Sequence, residues 1–172
     1  MQHKMSWMGY CILALAVVVT SWVWLSGNNQ AIFYKINALH TLFPIAIWKV
    51  LNFIAYSKYA LLPIVLLIVT LLYRRDYFSR VCLIIVSYYI IFHLLKLVVG
   101  EARPYIVLPT NSFFWLPNVD AAKDAYRSFP SGHVGLATIF SLTLIQIFNI
   151  RNIGLKLLLL LFIILVGVSR VC

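Results

Sequence analysis

The sequence predicts an all-α fold, a polytopic transmembrane helix bundle with five spans and one or two interfacial helices. Composition is the first reason: 63% of the 172 residues are hydrophobic and only 10% are charged, and the mean hydropathy is +0.97. A typical soluble domain carries about 25% charged residues, so this composition does not describe one. The second reason is distribution, because the apolar residues gather into runs that approach the roughly 20 residues a spanning helix needs. Short clusters of Lys, Arg, Asn and Pro separate them.

The first span runs from Ser6 to Leu25 without a charge, with Trp22 and Trp24 suited to a membrane interface. Lys4 ahead of it imitates a signal peptide, but no small-residue cleavage site follows and the run is long enough to cross. From Asn28 to Tyr56 the chain mixes Lys35, His40, Lys49 and Pro44 with aromatic residues. That stretch is too polar to cross and apolar enough to lie along the surface, as one or two interfacial helices.

A second span begins near Leu51 or Asn52 and ends at Tyr73, before Arg74-Arg75-Asp76, with Lys58 snorkelling outward and Pro63 kinking the helix. The third runs from about Tyr77 to Gly100, the fourth from about Ser131 to Ile150, and the fifth from about Asn152 to Ser169. Between the third and fourth lies the one long polar loop, residues 101–130. Without an internal repeat, residues 1–172 read as a single membrane-embedded domain.

Fourteen Lys and Arg against four acids leave a formal charge of +10. In a membrane protein that excess points to lipid phosphates, and no basic stretch is long enough for a nucleic-acid tail. Cys11, Cys82 and Cys172 give neither a disulfide framework nor metal-ligand spacing, so they read as free thiols.

Counting spans places the polar clusters. The third span ends beside Lys96 and Arg103, the fourth starts at Ser131 and the fifth ends at Arg170, so all three ends share one face. Lys96 supplies a point charge, and Arg103 and Arg170 each offer a planar fork of donors. Pro104 fixes the backbone after Arg103. Pro130, Ser131 and Gly132 form a helix start, whose first N–H groups and positive dipole end face the same place. His133 is the histidine placed to act as an acid toward a leaving oxygen. A phosphate with nearly two charges satisfies that set.

Taken singly, these residues have plainer readings. Lys96 and Arg170 alone are helix-end cations snorkelling to headgroups, and Pro130-Ser131-Gly132 alone is an ordinary helix start. Their convergence favours the site. His93, one turn before Lys96, reads as an interior histidine, and Glu101 as the partner of a neighbouring Arg. His3 and His40 receive no role. Trp115 and Tyr126 read as interface aromatics. No carboxylate occupies a motif position, so neither a metal nor another cofactor is expected.

At Lys96, Arg103 and Pro104 (K-x6-R-P) and at Pro130, Ser131, Gly132 and His133 (P-S-G-H), the chain resembles the type 2 phosphatidic acid phosphatase superfamily of integral membrane lipid phosphatases. The family's third element, S-R-x5-H-x3-D, begins here at Ser169-Arg170, and the chain ends at Cys172. The resemblance implies six spanning helices, a nucleophilic His and an orienting Asp six and ten residues after Arg170, and a phosphohistidine intermediate. Residues 1–172 are then expected to lack the last helix and to bind without turning over. His133 takes the acid role. The implied substrates are undecaprenyl diphosphate, phosphatidylglycerol phosphate, phosphatidate and lipid A phosphates. Phosphotransfer to a second lipid, and lipid binding or translocation without chemistry, remain the rival functions.

Orientation follows from the opposite face, where Lys4, Arg74, Arg75, Arg80, Arg151 and Lys156 lie close to the spans, as the positive-inside rule expects of the cytoplasm. The site face also carries Lys35, Lys49, Lys58, Lys123 and Arg127. With Lys96, Arg103 and Arg170 set aside as site residues, the loop and the site read as extracytoplasmic, in a bacterial inner membrane facing the periplasm.

Overall fold

The computed structural model describes residues 29–56, 59–114, 126 and 128–171. The first span, Ser6 to Leu25, lies outside the described residues, as do Lys58, Trp115, Lys123 and Arg127. The chain divides into Met1–Ile36 and Asn37–Cys172. Of the first unit the described part belongs to helix α1 (Asn29–Asn37), where the Phe33 and Tyr34 rings meet edge to face at 5.7 Å. The remaining observations concern the second unit.

All regular structure among the described residues is helical. After a 3-10 turn at Ala38–Leu42 come α2 (Ile45–Ile54), α3 (Leu61–Tyr73), α4 (Phe78–Val99), the short α5 (Pro104–Val107), α6 (Gly132–Ile147) and α7 (Ile153–Ser169). Helices α4, α6 and α7 fall where the third, fourth and fifth spans are expected. Asn152 begins α7 by accepting a hydrogen bond from Leu155 N at 3.2 Å, an N-cap that satisfies one of the orphan amides.

The second span is not one helix. Helix α2 stops at Ile54, and Ala60 adopts a left-handed φ of 50° just before α3 starts. Pro63 sits in the first turn of α3, where its missing N–H removes no helical bond, so it helps to start that helix rather than kink it. Nor does α2 simply lie along a surface. It packs against α7, burying Trp48 and Ala55, and the Trp48 indole donates to His40 O at 3.0 Å.

Helix α6 packs against α7 and α3, and α3 against α4. One apolar cluster joins Ala55, Leu62, Tyr88, Leu136, Ala137 and Val166; another joins Leu66, Val81 and Ile147. Small residues let the helices close up. A Cβ on Gly135 would lie 2.5 Å from Phe92 Cζ and 2.9 Å from Tyr88 Cε2, so any side chain there would have to push these α4 rings aside. Two buried hydroxyls are met inside their own helices, Thr70 donating to Leu66 O at 2.6 Å and Ser169 to Val166 O at 2.7 Å, while the buried Ser141 hydroxyl has no partner among the described residues.

Large apolar side chains also cover the outside, including Leu83, Val86, Ile90, Leu94 and Val98 along α4. Among the described residues one helical stretch, Arg75–Val107, is long and apolar enough to cross a membrane, with a window of mean hydropathy 2.3 that is only 11% buried. Helices α3, α6 and α7 are apolar but run to 13, 16 and 17 residues. These are shorter than the roughly 20 residues expected of a span.

The close approach at Gly135 yields a stability prediction. Gly135→Ala should destabilise the fold by about 1–3 kcal/mol through overpacking. Adding Phe92→Ala should recover part of that loss, as read from thermal unfolding in detergent. Full stability of the single variant would show that α4 yields freely.

Candidate active site

The site is built at the end shared by α4, α6 and α7. Helix α4 terminates at Gly100, whose φ of 57° is the left-handed cap that glycine adopts without a Cβ penalty. The chain then turns back. Pro104 restricts the preceding residue to extended backbone, and Arg103 is extended accordingly, with φ −79° and ψ 153°. At the far side of the loop, Ser128 N donates to Glu101 O at 3.1 Å. This bond closes the loop at its base and brings the first motif beside the second.

Ser131 is the N-cap of α6, extended at φ −69° and ψ 113°, and its hydroxyl makes no capping bond. Gly135 N donates to Ser131 O at 3.0 Å, so the amides of Gly132, His133 and Val134 form the first turn and lack partners within the helix. Gly132 is buried, and Lys96 Nζ lies 3.7 Å from the point where its Cβ would stand. The first and second motifs are therefore in contact.

His133 is buried among cations. The charges of Arg170, Lys96 and Arg103 all reach its ring, and its Nε2 is buried with no hydrogen-bond partner among the described residues. An unmet buried nitrogen costs about 1–3 kcal/mol, which a ligand accepting or donating there would relieve. Tyr56 packs on the same ring, with centroids 5.3 Å apart.

Arg170 follows Ser169 at the end of α7 and donates from Nη1 to Asn52 Oδ1 at 2.7 Å. Burial, and then the neighbouring Arg103, push its pKa down to about 10, which leaves it charged at neutral pH. The residue after it is tied down by Asn37, whose amide donates to Val171 O at 2.6 Å and to Phe114 O at 2.9 Å while accepting from Phe114 N at 2.8 Å. His40 stacks on Phe114, centroids 4.2 Å apart and planes 3° off parallel.

Lys96, Arg103, Ser131, Gly132, His133 and Arg170 thus come together, with Pro104, Pro130 and Ser169 in the backbone segments that carry them. His93 does not join them. It is exposed on the outer side of α4 rather than interior. Glu101 is exposed too, and among the described residues its carboxylate forms no ion pair; the pair recorded there is Arg74–Asp76 at 3.1 Å, on the opposite end. No three His, Cys, Asp or Glu side chains converge among the described residues.

Four supporting residues escaped the sequence reading. Tyr88 donates to Gly132 O at 2.6 Å, and its spacing of eight from Lys96 on the same helix face was a usable signal. Asn52, Tyr56 and Asn37 had none beyond polarity in apolar surroundings. Tyr88→Phe should lower stability by about 1 kcal/mol, the net worth of one hydrogen bond, in denaturant or thermal unfolding. An unchanged midpoint would mean that the hydroxyl does not hold the start of α6.

No characterised protein and no solved structure gives a significant match to the chain. The family model described as PAP2 superfamily matches residues 77–172. That segment starts just ahead of α4, runs through both complete motifs and includes Ser169-Arg170, so it contains the whole cation cluster around His133. The chain belongs to the PAP2 superfamily, whose activity in general is that of phosphatases and phosphotransferases.

Proposed function

We propose that the protein is a membrane-embedded phosphatase acting on a lipid phosphate or diphosphate at the periplasmic surface of a bacterial inner membrane. The observation that carries this reading is the meeting of Lys96, Arg103 and Arg170 around His133 at the start of α6. The apolar exterior supports the membrane setting, since the core helix of a soluble protein is mostly buried and the Arg75–Val107 stretch is 11% buried. Undecaprenyl diphosphate, phosphatidylglycerol phosphate, phosphatidate and lipid A phosphates share the required chemistry, a terminal phosphate with nearly two charges on an amphiphile with long hydrocarbon tails.

In this reading the three cations and the first-turn amides of α6 hold the phosphoryl oxygens as charge shifts during transfer. His133 gives its proton to the leaving oxygen as the phosphorus–oxygen bond breaks, an alkoxide for a phosphomonoester and a lipid monophosphate for a diphosphate. The resemblance implies a His nucleophile six residues after Arg170, forming a phosphohistidine that water then hydrolyses. Because the motif positions supply cations and no carboxylate anchors, the reaction is metal-independent. Discharge of the phosphohistidine onto a second lipid would make a phosphotransferase; inorganic phosphate as the product separates the two.

Two expectations follow. Phosphate, tungstate or vanadate should raise the melting temperature of residues 1–172 in detergent, because a ligand bound only to the folded state stabilises it. Arg103→Ala should erase the shift, and an equal shift in that variant would place the anion elsewhere. In a chain carrying the complete third element, hydrolysis should withstand excess EDTA. His133→Ala should slow alkoxide release by about 10²–10⁴-fold and slow an aryl phosphate, with its better leaving group, far less. Loss of activity on chelation, restored by a single metal, would sink the mechanism.

A further inference from the structure

Arg170 is met by an amide where a carboxylate would fit. Its Nη1 donates to Asn52 Oδ1 at 2.7 Å, and Asn52 belongs to α2, ahead of the family-matched segment that begins at residue 77. Helix α2 is seated against α7 through buried Trp48 and Ala55, so the acceptor is held by packing. The backbone beyond Arg170 is held separately, through the bond from Asn37 to Val171 O at 2.6 Å. A guanidinium brought this close to Arg103 needs an acceptor to stay in one place. Aspartate has nearly the same shape as asparagine and would bind the guanidinium more strongly, yet it would cancel the charge intended for the ligand.

We propose that Asn52 is a positioning residue which orients Arg170 for a tetrahedral oxyanion while leaving its charge uncompensated. The role rests on the phosphate reading of the cation cluster and deepens it, since it explains how the site prefers a dianion over a monoanion. Coulomb energy scales with the product of charges. An added negative charge at position 52 therefore repels a dianion twice as strongly as a monoanion of the same shape.

The test compares tungstate, a dianion, with perrhenate, a tetrahedral monoanion, by their affinities for detergent-solubilised residues 1–172. Asn52→Asp should weaken perrhenate by about tenfold and tungstate by about a hundredfold, the squared factor that doubling the charge product requires. Its melting temperature without ligand should equal or exceed that of the unaltered chain, because the new ion pair still holds Arg170. Asn52→Ala, which adds no charge but releases Arg170, should weaken both anions by about threefold or more, the equivalent of losing part of a hydrogen bond's contribution. This second variant keeps the proposal testable if the aspartate fails to fold.

Equal losses for the two anions in Asn52→Asp, or unaltered affinity in Asn52→Ala, would overturn the role of Asn52 while the phosphate site stands. Failure of the unaltered chain to bind tungstate, or tungstate binding that survives Arg103→Ala, would overturn the phosphate reading and Asn52's role with it.

Discussion

Like charges must be held together at the start of α6, and much of the surrounding structure is arranged to hold them. Lys96, Arg103 and Arg170 all act on His133, and Arg170 is driven downward by its burial and by Arg103. Left to themselves such cations separate into water. Here each is fixed by a different covalent or packing device: Gly100 turns the chain after Lys96, Pro104 extends Arg103, and the end of α7 presents Arg170. The fold thereby keeps the three cations near one another.

That retention depends on the backbone beneath it. The close meeting of α4 with α6 at Gly135 lets Tyr88 reach Gly132 and Lys96 lie beside it. The interior is apolar, with the Thr70 and Ser169 hydroxyls bonded to their own helices, while the outside is also apolar. A bundle whose two sides are alike in polarity gains little from hydrophobic burial between helices in lipid, so tight packing and interhelical hydrogen bonds carry more of its specificity.

The helices whose ends bear motifs were legible in the sequence. For α4, α6 and α7 an apolar run is bounded by Gly100, by Pro130-Ser131-Gly132 or by Asn152, and each of these residues marks an end for a local conformational reason. The break between α2 and α3 was not legible, since its left-handed residue is Ala60, a type that gives no warning of positive φ. Nor were Asn52 and Asn37. Their bonds span 118 residues in one case and 77 and 134 in the other, and sequence periodicity reports only neighbours along a helix. His93 misled for the converse reason: its spacing from Lys96 suggested the inner face, but the exposed face of α4 is as apolar as the buried one.

Helix α6 is tied at both ends. Tyr88 on α4 holds Gly132 O at 2.6 Å, and Arg74, at the end of α3, donates to Ile147 O at 2.7 Å. The two anchors lie about 23 Å apart along the helix axis, at 1.5 Å rise per residue, and come from different helices. Sliding α6 along its axis by even an ångström strains both anchors at once. In mechanical terms α6, α3 and α4 form a fixed frame with His133 and Lys96 mounted on it. Arg170 is mounted on α7, which packs against both α6 and α2 and is tied to α2 through Asn52, so the third cation is seated by packing on that frame and by one hydrogen bond outside it.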